Sequence, residues 1–193
     1  MSQNILILNG NPKANSLSHA LTAAYLSGLP STATVDVFHL SDMPFDPNLA
    51  FGYNQQQPLE PHLLAFQHAL LKADHLVMIF PIWWGGMPAQ LKGLIDRTFL
   101  PNVAFKYQAG SGMPKQLLKG KTARLILTMD VPTWYYRWQG SPVIRQLNQS
   151  ILGFCGFKQI KVTRFGKVLH SSLLERQGWL KQVKNLAANQ SAQ

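Results

Sequence analysis

Apolar and polar positions fall into alternating blocks along this chain, and the blocks predict strand and helix in turn. Residues 4–8 (NILIL) are an unbroken apolar run closed by Asn9-Gly10, the pattern of a buried strand. Residues 18–26 read as a helix that starts on Ser, carries Ala20, Leu21 and Ala24 on one face and is closed by Gly28 and Pro30. Residues 34–40, with alternating Val35 and Val37, give a second strand, and 41–57, rich in Pro, Asn and Gln, a loop. Residues 60–73 place Leu63, Leu64, Phe66 and Leu70 at helical spacing. Residues 75–80 (HLVMIF) form a third strand, 88–100 a helix with Pro88 in its first turn, 101–120 a long excursion and 122–128 (TARLILT) a fourth strand. Residues 143–153 read as a helix and 159–165 as a fifth strand with Ile160 and Val162 on one side. The last helix is 171–187, with Leu173, Leu174, Leu180 and Val183 turned inward.

Strands alternating with helices imply an α/β fold, a parallel sheet covered by helices on both faces. Five strands in 193 residues fit one doubly wound domain over residues 1–193, strand order 2-1-3-4-5. Ligands of such sheets sit beyond the carboxyl ends of the strands, near the switch between the first and the third. The loops after Leu8, Phe80 and Thr128 are therefore the informative ones.

Composition narrows the class. Hydrophobic residues at 46% and charged residues at 13% exclude disorder. The longest apolar stretch, 76–89, is broken by Pro81, Gly85, Gly86 and Pro88 and is shorter than the ~20 residues of a membrane helix, so no membrane insertion is expected. The start lacks the basic flank of a signal peptide, which makes the cytoplasm the expected compartment. A single Cys155 excludes a disulfide framework and a thiolate metal cluster. The net charge of +10 is lopsided, −2 over residues 1–100 and +12 over 101–193. A basic half points to an anionic partner (nucleic acid, anionic membrane or phosphorylated small molecule) or to a solvated surface.

Several motifs fail. Gly120-Lys121-Thr122 lacks the upstream glycine of a P-loop and precedes a strand. No G-x-G-x-x-G follows the first strand, and neither H-E-x-x-H nor G-x-S-x-G occurs. His62, His68 and His75 lack metal-ligand spacing and read as surface or helix-end histidines, so no metal is expected.

Three loops carry chemistry. The first, residues 9–18, enters a helix whose opening amides suit a phosphate, with Ser16 and Ser18 beside them. Either serine could equally be a plain helix cap. The second, residues 80–88, sets Trp83-Trp84 against Gly85-Gly86. Adjacent indoles point to opposite sides, so one is expected to pack and the other to meet a ligand, a flat heteroaromatic ring with polar edges. The third, residues 128–138, is densely aromatic and holds Arg137. It fits stacking on single-stranded nucleic acid, the lining of a planar cofactor's pocket, or an anchored surface loop.

FPIWWGGMPAQLKGLIDRTF, residues 80–99, resembles the signature of the flavin-dependent NAD(P)H:quinone oxidoreductases of flavodoxin-like fold. Residues 11–21 are similar to that family's phosphate loop, and 152–157 to its segment before the last strand. The resemblance implies FMN, with FAD as the alternative, NAD(P)H as co-substrate, a small electron acceptor such as a quinone, and a homodimer with the site near the subunit interface. It implies that Asn11, Ser16, Leu17 and Ser18 hold the phosphate. It sets Pro81, Ile82, Trp83, Trp84 and Gly85 along the flavin ring, and has Thr128, Met129 and Asp130 approach the ring from the third loop. The family's catalytic tyrosine falls at Tyr136 or Tyr135. Its catalytic histidine has no counterpart, and Asp130 stands where many relatives have glycine.

The expected function is thus ping-pong hydride transfer from NAD(P)H through the flavin to an acceptor. The alternatives are a flavin-binding regulatory subunit of a membrane transporter or an electron carrier, against which the basic charge argues. Nucleic-acid binding ranks last, because the three loops converge where a small ligand belongs.

Overall fold

The computed structural model describes residues 3–190 except 109 and 111. Its strands are β1 (Asn4–Asn9), β2 (Thr34–His39), β3 (His75–Pro81), β4 (Phe105–Lys106), β5 (Lys115–Gln116), β6 (Thr122–Thr128) and β7 (Lys158–Phe165). Five of them form one sheet in the order β2-β1-β3-β6-β7, every pair parallel. This is the expected 2-1-3-4-5 order, because β4 and β5 make a separate antiparallel ladder inside the excursion that the sequence left without elements.

The helices are α1 (Leu17–Leu26), α2 (Pro61–Lys72), α3 (Ala89–Thr98), α4 (Thr133–Trp138), α5 (Pro142–Arg145), α6 (Leu152–Cys155) and α7 (Leu173–Ala188). One face of the sheet, carrying Leu6, Leu8, Met78 and Leu125, packs with Leu63 and Phe66 of α2 and Leu91 and Leu94 of α3. The opposite face, carrying Ile5, Ile7, Val77, Ile79 and Ile126, packs with Leu21 and Tyr25 of α1 and Val183 and Ala187 of α7. Burial on both faces is why β1, β3 and β6 read as unbroken apolar runs.

Four expectations need correction. Residues 143–153 are not one helix: α5 runs into a π-helical turn, Gln146–Ile151, before α6. A side chain at Gly153 would put its Cβ 1.9 Å from the Asn148 carbonyl oxygen, so the turn needs glycine there. Leu173 and Leu174 are 74% and 77% exposed, because they occupy the first turn of α7, whose buried residues, Val183 and Ala187, come later in the helix. That end is fixed instead by a capping box between Ser172 and Glu175. Ala20 points outward, and Thr22 and Tyr25 join Leu21 in the buried face of α1. His75 is not a surface residue: it is 1% exposed at the start of β3.

Arg97, also 1% exposed, fixes the 46–60 loop. It donates to the Asp46 and Pro58 carbonyls and meets Glu60 Oε2 at 2.8 Å. Register places Asn9 beside Ile79 and Pro81 beside Thr128, so the three informative loops leave the sheet side by side.

Candidate active site

The second loop is a tight hairpin. The Trp83 amide donates to the Gly86 carbonyl at 2.9 Å and the Gly86 amide returns to Trp83 at 2.8 Å. Trp84 and Gly85 between them have φ of 51° and 74°. Positive φ at both central positions defines a type I′ turn, which glycine tolerates and tryptophan does not. The turn's two bonds use the outer amides, so those of Trp84 and Gly85 are left without a hydrogen-bond partner. Both indoles face outward, Trp83 47% exposed and Trp84 fully exposed, which corrects the expectation that one of them packs.

The turn borders a cavity of about 670 Å³ lined by Ile82, Trp83, Trp84, Gly85, Met129, Asp130, Val131, Tyr135, Tyr136, Gln139 and Pro142. Its floor is the sheet's edge: the Ile82 amide donates to the Thr128 carbonyl at 2.7 Å, and Thr128 and Met129 are buried. Asp130 keeps its carboxylate at the rim, where Oδ1 accepts from the Leu169 amide at 2.9 Å. That bond ties the third loop to the segment after β7, and so do Lys167 N to the Val131 carbonyl and Val168 N to the Met129 carbonyl.

The two tyrosines differ. Tyr136 has no exposed surface, and its hydroxyl oxygen accepts from the Val143 amide at 3.2 Å. Burial pushes that phenol above its ordinary pKa, so it stays protonated at neutral pH. It staples the 136–143 segment. Tyr135 is half-buried between Trp134 and Trp138, with ring centroids 5.9 and 5.7 Å away. Gln139, Val131 and Pro142 complete the wall, and sequence reasoning did not single them out. The available signal was Gly140-Ser141-Pro142, a turn that folds the chain back toward Gly85, whose Cβ position lies 3.8 Å from the Pro142 ring.

The first loop lies beside this cavity, not in its lining. Ser16 is the N-cap of α1, its hydroxyl accepting from the His19 amide at 3.3 Å. Ser18 is buried, its hydroxyl 3.4 Å from Asn11 Nδ2. Capping leaves the Leu17 and Ser18 amides in the first turn without an intrahelical acceptor, so they can receive an anion. The donor set therefore has two parts: free amides and hydroxyls at the start of α1, and two free amides on the hairpin facing an apolar slot. A phosphate-tailed planar ring with hydrogen-bonding edges fits both. Among the described residues no group of three or more His, Cys, Asp or Glu could hold a metal ion.

A family model described as a flavodoxin-like fold matches residues 3–186. A protein of Haemophilus influenzae named "Uncharacterized NAD(P)H oxidoreductase" is 29% identical over 143 residues, 69% of each chain. An FMN-dependent NADH:quinone oxidoreductase of Ruegeria pomeroyi is 31% identical over 137 residues, 63% of this chain and 65% of that one. The chain spans from about half to about two thirds of the length of the first curated relatives it matches, between 51% and 69%. The crystal structure of Smu.1420 from Streptococcus mutans UA159 aligns with a TM-score of 0.84 at 30% identity, over 96% of this chain and 98% of that one.

Proposed function

The chain belongs to the flavodoxin-like fold family, among its NAD(P)H:quinone oxidoreductases, and from that premise we propose that it is an FMN-dependent enzyme reducing a small quinone-like acceptor with NAD(P)H. The observation that carries this reading is the hairpin: two unpartnered amides on a strained turn beside a slot large enough for a tricyclic ring. Relatives named as FMN-dependent favour FMN over FAD.

A bound flavin supplies hydride acceptance from NAD(P)H and delivery of the electron pair to an acceptor. The protein's own groups do the rest. The Leu17 and Ser18 amides, with Asn11, Ser16 and Ser18, hold the phosphate against the positive end of α1. The Trp84 and Gly85 amides, which have no partner in the chain, would donate to the polar edge of the ring and favour negative charge there. Ile82 and Trp83, with Met129 and Asp130, would line the slot that takes the ring, while Pro81 and Thr128 pair at the strand ends and stay out of the lining. Tyr135, the more accessible tyrosine, donates a hydrogen bond to the acceptor, while Tyr136 positions the wall behind it.

A homodimer with the site near the subunit interface is part of this reading. The test is anaerobic mixing of the flavin-loaded protein with NADH and NADPH, followed by a quinone. Bleaching of the flavin band and its return on quinone addition are expected. A band that neither nucleotide bleaches removes the enzymatic reading.

A further inference from the structure

The amino end of the sheet, opposite the candidate active site, holds a second cavity of about 140 Å³, lined by Gln3, His75, Thr122, Gln159, Lys161 and Gln190. Nothing in the oxidoreductase reading uses it. Seven buried polar side-chain atoms among the described residues have no hydrogen-bond partner, and three of them collect here: Nε2 of His75, Oε1 of Gln190 and Nε of Arg124. Native interiors leave few such atoms, and a cluster of them marks a place where a partner belongs. The backbone is strained at the same wall. Gln159 has φ 50° at the register shift where β7 joins β6, a conformation that residues other than glycine rarely adopt.

Charge decides what that partner is. Arg124 stands two residues along β6 from Thr122, on the same face, and pairs in register with Lys161 of β7. It is 7% exposed and makes no ion pair among the described residues. The Tyr25 phenol beside it is pushed up by burial and carries no charge at neutral pH. Asp74, the residue before His75, is taken up by the Asn4 amide and side chain, at 2.9 and 3.4 Å. A buried guanidinium without an anion is costly. Water fits the cavity, at roughly 30 Å³ per molecule, but brings no charge. A small oxyanion fits the volume and the charge. Its donors are the Lys161 ammonium, the Thr122 hydroxyl and Nε2–H of a protonated His75, whose Nδ1 lies 2.7 Å from the Thr122 hydroxyl oxygen.

We propose that this cavity is a structural site for a small oxyanion of phosphate size, which joins Lys161 and Arg124 to His75 and so ties together the starts of β3, β6 and β7. Binding is linked to protonation of His75. The charged groups facing that ring are Arg124 on β6 and Lys161 on β7; β1 brings Gln3 and Ile5, α1 the neutral Tyr25, and the chain past α7 brings Gln190. Without an anion, burial and then the two cations hold the imidazole at a pKa of about 4. An anion set among them favours the imidazolium, and by reciprocity the imidazolium binds the anion more tightly.

Imidazole NMR of the full chain tests the site, with the His75 signal identified by its loss in His75→Gln. Sulfate is the probe, because its own charge does not change over the range titrated. At constant ionic strength, replacing chloride by sulfate should raise the His75 midpoint by about one unit, which is a tenfold preference of the anion for the imidazolium. The rise should saturate with sulfate concentration. Lys161→Gln, at a partly exposed position, should weaken sulfate binding by about fivefold. Arg124→Gln should abolish the sulfate-dependent rise. A midpoint that is the same in both salts overturns the proposal and leaves the cavity to water. A rise that Lys161→Gln leaves undiminished overturns it as well, because the ion then sits elsewhere, as on the amides at the start of α1.

Discussion

At the amino end of the sheet His75 is 1% exposed, with its Nδ1 2.7 Å from the Thr122 hydroxyl; at the carboxyl end Trp84 is fully exposed, held at φ 51°, with an amide that has no partner. Both positions break a local rule. His75 puts a titratable ring in the interior, and Trp84 puts a bulky side chain in a left-handed turn. The amino end gets structure in return, since His75 and Thr122 tie β3 to β6 and Gln190 joins them from beyond α7. The carboxyl end gets no packing in return. Strain that stabilises nothing in the fold marks the end where ligands are handled.

The contrast can be broken most severely through a charge that serves only the fold. Arg97→Ala removes the bonds that tie the Asp46 and Pro58 carbonyls and the Glu60 carboxylate to α3, which should destabilise the protein by about 4 kcal/mol in denaturant unfolding. Flavin affinity measured below the transition should change little.

His75 gives the next largest effect. Burial, then Arg124 and Lys161, lower its pKa from 6.5 to about 4. The unfolded chain therefore binds the extra proton first. The stability of the neutral form is whole above pH 6.5 and is lost as pH falls from there toward about 4, a loss on the order of 3 kcal/mol. Unfolding free energies across that window measure it, and His75→Gln should flatten the profile.

The tyrosines sharpen the comparison within the site. Tyr136→Phe leaves the buried Val143 amide unpaired and should lower stability by about 1–2 kcal/mol. Tyr135→Phe should leave the melting temperature unchanged and slow quinone reduction by about tenfold, read as kcat with KM for NAD(P)H unaltered. An equal effect of both changes on stability would erase the distinction.

The smallest effect has the unusual sign. Trp84→Gly relieves the left-handed strain and should stabilise the protein by about 1 kcal/mol, seen as a raised melting temperature. Flavin binding should persist, since the backbone amides remain.

The sheet was legible from the chain because a strand buried on both faces has to be apolar throughout, and residues 4–8, 75–80 and 122–128 are. The hairpin's importance was legible from Trp83-Trp84-Gly85-Gly86, but its handedness was not, because Trp at a positive φ is contrary to its propensity. Leu173 and Leu174 have the spacing of an inward face. Periodicity reports which side of a helix is apolar and not which of its turns are covered. The π-turn at 146–151 has no composition of its own, and only the contact at Gly153 betrays it.

Titration of FMN into the flavin-stripped protein, followed by quenching of flavin fluorescence, tests the central assignment most directly. One FMN per chain should bind, and Gly85→Val, which cannot hold the turn, should weaken it by about tenfold. Protein that folds normally yet binds neither FMN nor FAD, or that binds FMN equally well with Gly85→Val, would contradict a cavity built around the free amides of the hairpin.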